Sequence, residues 1–387
     1  MASARGEAIP LRGALSTLLS GRSRYALRRL RARTKEAIRH ANAFSWVSGA
    51  VVFRSRAGEE CAVTWRGLDE GLSWLALLLG GERCNGAGAQ PNGATARASR
   101  FWLPGALKVP VYIDCVMDLS KPVEETYGGC SQNIRRTIRR HLAECRYETV
   151  KTRERAIAVS KTMLRPYAEN RHGPTAAQMD DETVVALALG RSRGSLKVLV
   201  RNGQEVACQL GFANEPFGVK TWEVCRLGYI EPVFSDAVLL DETNTLNSYL
   251  AARDAWERGF PQLNFGMTVA KPDGGLLHWK CRRGCVPEPR TVNTWLALSV
   301  PPALRSKFFA ACPLLFLRQG TLNLAIGWPE GMVAADFRET LRANHVRGIR
   351  RVSVYRSVAH RGEDDTACAG WMKGRDPDCH IEYIDSP

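Results

Sequence analysis

Runs of apolar residues separated by turn-forming residues predict a series of strands in the middle of the chain. Residues 196–200, 206–213 and 219–226 are rich in β-branched and other apolar residues. Asn202-Gly203 separates the first two runs and residues 214–218 separate the next two, and joints of this kind are typical of hairpin turns. The three runs therefore predict an antiparallel meander. An earlier strand is predicted to end at Asp118-Leu119, and a later one to cover 262–265.

Apolar residues at helical spacing predict the elements between these strands. One helix follows Ser131, a preferred N-cap residue. Its apolar positions are Ile134, Ile138, Leu142 and Cys145. Three further helices are predicted at 156–164, 180–189 and 236–258. Pro166 and Gly259 would end the first and the last of these three. The order of elements is ααβββ followed by αβ, which predicts an α/β (α+β) fold.

The stretch from Leu263 to Cys285 combines a strand, a glycine turn and a lysine. Gly266 lets the backbone bend after the strand, and the Pro-Asp-Gly-Gly sequence at 272–275 predicts a tight turn. We expect an extended segment after this turn. His278 and Lys280 would then lie on the same face, because they are two residues apart.

Over about residues 110–290 the chain resembles the Fem-type aminoacyl and peptidyl transferases and related acyltransferases of the GNAT superfamily. The motifs that carry the resemblance are VMDLS followed by SQNIRRTIRR, NGQEVACQLGF, ARDAWERGFPQLNFG and GGLLHWK. The resemblance implies a GNAT-like mixed, mainly antiparallel sheet flanked by helices. The acyl donor would lie in the opening between two splayed central strands. It also implies an N-acyltransferase that moves an acyl or aminoacyl group from a thioester or ester to an amine. A smaller, degenerate N-terminal lobe would precede the catalytic domain.

The same resemblance implies a role for Lys280, which matches the family lysine in the last motif. Lys280 would anchor a phosphate or the developing oxyanion. His278 would relay a proton, because it is expected on the same face of the strand. The alternatives are a surface lysine whose stem covers apolar residues and an ordinary, partly exposed histidine.

Six other residues are candidate substrate contacts. They are Arg171, His172, Glu223, Arg226, Tyr229 and Asp273. The first two follow the expected bend at Pro166. Glu223 and Arg226 lie on the strand before the expected opening, with Tyr229 nearby, and Asp273 lies in the glycine turn. The alternatives are a solvated loop for the first two, a buried Glu223–Arg226 ion pair, and a turn-capping aspartate.

The donor is expected to be acyl-CoA or aminoacyl-tRNA, with no tightly bound cofactor and an unidentified amine acceptor. The helix that begins PVFSDAVLL is not preceded by spaced glycines, so the usual helix-end site for a coenzyme A pyrophosphate is missing. The twelve cysteines include no CxxC pair. No metal site is therefore predicted, and most thiols are expected to be small core residues.

The charge distribution favours anionic partners. There are 54 basic and 39 acidic residues, a net charge of +15. A basic face predicted to be either solvated or anion-binding consists of Arg135, Arg136, Arg139 and Arg140. The basic arm at 1–42 would lie on an anionic membrane, bind RNA or pack on the protein. An RNA-binding protein and a noncatalytic GNAT-like interaction module are the alternatives to an enzyme.

The remaining predictions concern organisation. We divide the chain into the arm (1–42), the reduced lobe (43–110, with a flexible loop at 80–99), the catalytic domain (111–300) and a C-terminal extension (301–387). In the extension we predict a capping box at 336–339, a strand at 348–356 and a frayed end from 361. No stretch has the length and apolarity of a secretory signal or a spanning helix, so we expect a cytoplasmic protein, either free or peripheral to the inner face of the membrane.

Overall fold

The computed structural model describes residues 48–54, 60–66, 106–173, 176–190, 193–292, 294–360 and 366–386. The predicted basic arm at 1–42 and the predicted flexible loop at 80–99 lie outside the described residues. The same holds for most of the predicted N-terminal lobe.

The described chain contains both strands and helices. In chain order, the strands are β1 (Ser48–Arg54), β2 (Glu60–Arg66), β3 (Leu107–Pro110), β4 (Tyr112–Asp118), β5 (Cys145–Thr149), β6 (Gly194–Arg201), β7 (Gln204–Asn214), β8 (Thr221–Tyr229), β9 (Gln262–Val269), β10 (Val286–Glu288), β11 (Thr294–Ser299), β12 (Leu314–Arg318), β13 (Thr321–Trp328), β14 (Arg351–Ser357) and β15 (His380–Ser386). The helices are α1 (Val123–Gly128), α2 (Gln132–His141), α3 (Arg153–Val159), α4 (Arg165–His172), α5 (Asp181–Ala188), α6 (Glu231–Phe234), α7 (Ala237–Glu257), α8 (Gly275–Arg282), α9 (Arg305–Ala311), α10 (Ala334–Asn344) and α11 (Thr366–Arg375).

One sheet has seven strands in the order β10-β4-β9-β8-β7-β6-β5. Every neighbouring pair is antiparallel except β8 and β9, which are parallel. The predicted meander is confirmed as β6-β7-β8. Asn202 and Gly203 have φ values of 51° and 82°, as the two central residues of a tight hairpin turn require. The predicted class, a mixed and mainly antiparallel sheet flanked by helices, is confirmed.

Helices cover both faces of this sheet. On one face α7 packs on α1, α2, β7 and β9. On the other face α5 packs on β6 and β7, and apolar residues such as Met163, Val184 and Leu210 form a separate cluster there. Asp180 caps α5 by accepting a hydrogen bond from the Thr183 amide at 2.7 Å. The predicted helices at 180–189 and 236–258 are confirmed.

The prediction that Pro166 ends a helix is wrong. A wide turn at Ser160–Leu164 joins α3 to α4, and the Arg165 amide donates to the Ser160 carbonyl, five residues earlier. Pro166 then lies in the first turn of α4. Proline is tolerated there because the wider turn already breaks the regular hydrogen-bond ladder. The expectation that Cys145 belongs to the helix after Ser131 is also wrong, since that residue begins β5.

The second sheet has eight strands in the order β15-β14-β13-β12-β3-β11-β1-β2. These strands come from three of the four segments into which we divided the chain. The predicted strand at 348–356 is confirmed as β14, but the predicted frayed end is wrong over residues 366–386, which form α11 and β15. β15 runs parallel to β14 and pairs with it from His380 to Ser386.

Two further observations complete the description of the fold. The predicted capping box is wrong, because α10 begins at Ala334 after Val333 and Asp336 already lies inside its first turn. Among the helices of the described ranges, none combines the length and the apolarity needed to cross a bilayer.

Candidate functional site

The parallel strands β8 and β9 pair only over a short distance and then separate. Their ladder consists of Thr221–Gln262, Trp222–Leu263 and Glu223–Asn264. Beyond it both strands continue, but each carries an irregularity. β8 has an extra residue at Cys225 relative to β7, and β9 has an extra residue between Asn264 and Met267 relative to β4. Bulges of this kind bend strands, and no pairing between β8 and β9 continues beyond Glu223 and Asn264.

A polar row lies at the point where these strands separate. It consists of Glu223 on β8, Asn264 on β9 and Asp114 on β4, which are neighbouring strands. Asn264 is 3% exposed, and its Oδ1 accepts a hydrogen bond from the Gly266 amide at 2.7 Å. The Asn264 side chain also lies close enough to both carboxyl groups to lower the pKa of each. Because Oδ1 and the carboxylates are acceptors, the Asn264 amide nitrogen is the atom that can donate to them.

The two carboxyl groups of the polar row are protonated more readily than ordinary carboxyl groups. Burial raises the pKa of Asp114, and the nearby Glu288 raises it further, against the opposing effects of Asn264 and Lys280. Burial also raises the pKa of Glu223, and the charge of Asp114 adds to the effect. A carboxyl group whose pKa has moved toward neutrality is suited to accept and return a proton.

The expectation that an extended segment carries Lys280 is wrong, because residues 275–282 form α8. Only 2% of Lys280 is exposed, and its Nζ donates to the carbonyl oxygens of Gly266 and Met267, the second at 3.3 Å. Burial lowers the pKa of the lysine, while the nearby thiols and Asp114 oppose this effect. Lys280 therefore holds the backbone of β9 at its irregular point.

His278 does not share a face with Lys280. Two residues along an α-helix are about 200° apart, so their side chains point in nearly opposite directions. His278 is partly exposed, and its amide donates to the Gly274 carbonyl in the first turn of α8. The expected arrangement of both residues on one face of a strand is therefore wrong, whereas their catalytic roles stay predictions.

The other candidate substrate contacts are dispersed. Arg171 and His172 lie in the last turn of α4 rather than after a bend at Pro166. The Arg171 guanidinium donates to the Tyr167 hydroxyl at 3.1 Å. Tyr167 packs edge-on against the buried Tyr229, whose hydroxyl donates to Asn244 at 2.7 Å. Tyr229 is thus part of the core.

Arg226 and Asp273 have partners outside the polar row. The Arg226 guanidinium donates to the Ala177 carbonyl at 3.3 Å, which ties β8 to the segment before α5. Asp273 forms an ion pair with Lys271 at 2.8 Å, and both side chains are about half exposed. Of the predicted substrate contacts, Glu223 is the one that the structure places in the polar row.

Sequence reasoning missed Asp114 and Asn264. Asp114 interrupts an apolar strand in the sequence VYIDCVMD, and Asn264 precedes the bulge glycine in LNFG. A polar residue inside an apolar strand is a usable signal, but only the pairing of β4, β9 and β8 shows that the two belong together. An exposed apolar side chain also lies near the row, since Met267 pairs with Asp114 across β9 and β4.

The predicted basic face is exposed on α2. Its residues are Arg135, Arg136, Arg139 and Arg140, while Ile134 and Ile138 on the other side of the helix are buried. None of the four arginines forms an ion pair with a carboxylate among the described residues. Within the same residues no group of three or more His, Cys, Asp and Glu side chains is arranged to hold a metal ion.

Comparison with known proteins gives matches among solved structures alone. No protein-family model and no curated protein matches the chain. The crystal structure of FemX has 13% identity over 52% of this chain and 61% of that chain, with a TM-score of 0.36. The C-terminal domain of a putative lysylphosphatidylglycerol synthetase from Agrobacterium fabrum has 12% identity over 50% and 62%, with a TM-score of 0.34. L-PGS from Bacillus licheniformis has 13% identity over 50% and 61%, also with a TM-score of 0.34.

The matched structures include a Fem protein. The chain spans about 61–62% of the length of these neighbours.

Proposed function

We propose that the protein is an N-acyltransferase that moves an acyl or aminoacyl group from an activated ester or thioester to an amine. The observation that carries the proposal is the polar row of Glu223, Asn264 and Asp114 at the point where β8 and β9 separate. It supplies a proton acceptor next to an opening that an extended donor can enter.

The opening suits a donor that carries amide or ester groups. Beyond Glu223, β8 is paired with β7 on one side and is not paired with β9 on the other. Unpaired strand backbone binds extended ligands through its N–H and C=O groups. Such N–H groups would also stabilise negative charge on a carbonyl oxygen of the donor during the reaction.

The transfer needs one proton acceptor. The amine nitrogen of the acceptor forms a bond to the donor carbonyl carbon, and its proton passes to the Glu223 carboxylate. The carbon–oxygen bond of an ester, or the carbon–sulfur bond of a thioester, then breaks, and the leaving oxygen or sulfur receives the proton from Glu223. Asp114 and Asn264 act as positioning residues, since the Asn264 amide orients both carboxyl groups.

Among the two donor classes, we propose aminoacyl-tRNA. The N-terminus of α7 is capped by the Asp236 carboxylate, which accepts hydrogen bonds from the amides of Val238 and Leu239 at 2.8 and 3.0 Å. These amides are then not free to bind a coenzyme A pyrophosphate, and the carboxylate would repel it. The exposed arginines of α2 supply uncompensated positive charge for an RNA backbone.

A transfer assay with defined donors tests the proposal. Labelled bulk aminoacyl-tRNA and a panel of acyl-CoAs would be incubated with the protein and a mixture of primary amines, and loss of label from the donor would be followed. We expect amine-dependent loss from aminoacyl-tRNA. Glu223→Gln should lower kcat by about 100-fold or more, because a general base contributes about that much.

A matched control and two outcomes complete the design. Glu257→Gln changes an exposed carboxylate at the end of α7 and should leave kcat unchanged. If only acyl-CoA loses its label in the presence of an amine, the donor is acyl-CoA and the proposed transfer reaction still holds. Binding of tRNA without transfer to any amine would contradict the proposal and favour the RNA-binding alternative.

A further inference from the structure

A cavity lies at one end of the eight-stranded sheet, whereas the polar row lies on the seven-stranded sheet. Its volume is about 450 Å³. Its lining combines the β12–β13 turn, the start of β14 and the turn before β15. The lining residues that matter here are Arg318, Asn323, Arg350, Arg351, Asp378 and His380. Ligand clefts commonly measure about 300–1,000 Å³, so a sugar phosphate or a mononucleotide fits this space.

The parallel strands bring three polar residues into one row at this cavity. Asn323 on β13 pairs with Arg351 on β14, and Arg351 pairs with His380 on β15. Side chains in register on neighbouring strands point to the same face of a sheet. Asn323 is 2% exposed, so the row has a fixed polar residue at its inner end. The row presents guanidinium and imidazole groups to one ligand. The buried Asn323 lies beside them, and its amide nitrogen donates to the Thr321 carbonyl at 3.0 Å.

Positive charge exceeds negative charge around the cavity. Arg318 and Arg351 share one carboxylate, that of Glu382, at 3.5 and 3.0 Å. Arg350 pairs with Asp378 at 3.0 Å. Three guanidinium groups thus face two carboxylates, and all these side chains are more than one third exposed. Ion pairs at such exposure are weak, so an incoming anion can compete for the guanidinium groups.

We propose that this cavity binds a small phosphate-bearing metabolite of mononucleotide size or below. Arg351 and Arg318 would bind the phosphate oxygens with the paired N–H groups that guanidinium offers, and Glu382 would give up part of its contacts. Asn323 and His380 would bind the remaining polar groups. The proposal does not depend on the acyl-transfer reaction.

Titration calorimetry on the full chain tests this site, with inorganic phosphate, ribose 5-phosphate and AMP as probes. We expect saturable binding of one equivalent of at least one probe. Arg351→Gln should weaken it by about tenfold, as loss of a hydrogen bond to a charged group implies. Glu382→Gln should tighten it, because it releases two guanidinium groups. Arg350→Gln, at a more exposed position, gives a second test should Arg351→Gln fail to fold.

Arg153→Gln is the matched control, since Arg153 is also an exposed arginine paired with a glutamate but lies on α3. It should leave the affinity unchanged. The proposal is overturned if no probe saturates. It is equally overturned if Arg153→Gln weakens binding as much as Arg351→Gln does, because binding would then be a general property of a basic protein.

Discussion

The Nζ atom of Lys280 donates a hydrogen bond to the carbonyl oxygen of Gly266, the residue at which β9 bends with a φ of 76°. The lysine therefore stabilises the backbone next to the polar row and does not lie on the exposed surface of the row. The Gly266 backbone amide donates a hydrogen bond to the Asn264 Oδ1 at 2.7 Å. The geometry of the row and the position of the lysine are therefore linked through one residue, Gly266.

Lys280→Ala should destabilise the protein by about 2–4 kcal/mol, because it leaves a cavity and removes the donor to the carbonyl groups of Gly266 and Met267. Urea unfolding followed by circular dichroism measures the loss. Lys271→Ala removes a nearby lysine whose ion pair with Asp273 is about half exposed, and it should cost less than about 1 kcal/mol. Equal effects of the two substitutions would contradict the buried role.

Asp114→Asn should stabilise the folded protein at neutral pH. The amide keeps an oxygen that can accept from Asn264 but removes a charge that burial disfavours. Because the folded-state pKa of Asp114 is raised, the wild type loses stability as the pH rises from the usual pKa to the raised one. The melting temperature of the variant should exceed that of the wild type at pH 8, and the difference should shrink toward pH 3. A difference that grows on acidification would show that the pKa is lowered instead.

The proposed transfer should become faster as the pH rises through the raised pKa of Glu223, because the carboxylate form accepts the proton. The midpoint of kcat/KM against pH should lie above 4.5, the usual pKa of a glutamate side chain. Glu223→Gln should abolish this rise in the residual activity. An unchanged profile in the variant would assign the titration to another group.

Binding of tRNA should depend on the basic face of α2. The logarithm of the affinity falls with the logarithm of the salt concentration. Replacing Arg135, Arg136, Arg139 and Arg140 by Gln should make this negative slope less steep by about 3, since each phosphate contact contributes somewhat less than one. Filter binding at several salt concentrations gives the slope. A variant with the wild-type slope would place the RNA contact elsewhere on the protein.

Gly327→Ala should disturb the contact between β13 and α9. A Cβ atom at this position would lie 1.9 Å from the Ser306 carbonyl oxygen. The helix must shift, at a cost of about 1–3 kcal/mol or more. Gly370→Ala is the control, because its Cβ meets nothing within 4 Å in an exposed part of α11. It should raise stability by about 0.5–1 kcal/mol. Thermal unfolding of both variants compares them.

Local chemistry explains which elements could be predicted from the sequence. Asn202-Gly203 specifies a hairpin by its own backbone preferences, and Gly259 ends α7 with a φ of 73°. The helix at 275–282 was not predictable in this way, because two glycines and an aromatic residue give no clear helical signal. Its packing against β4, β9 and β10 decides its conformation.

Long-range pairing explains what the sequence did not reveal of the site. Asp114 and Asn264 are 150 residues apart, and they meet because β4 and β9 are neighbours. Glu223 could be selected by its position on β8, but its partners could not. The polar stretch that contains β15 is a similar case, since its strand conformation depends on the edge that β14 provides.

The two sheets differ in when they can form during synthesis. All strands of the seven-stranded sheet lie between Tyr112 and Glu288, so this sheet can assemble once that stretch has left the ribosome. The eight-stranded sheet joins β1 near Ser48 to β15 near Ser386. Strand β14 stays unpaired on one side until β15, which pairs with it, emerges. A nascent chain stalled before His380 would expose that edge to other chains.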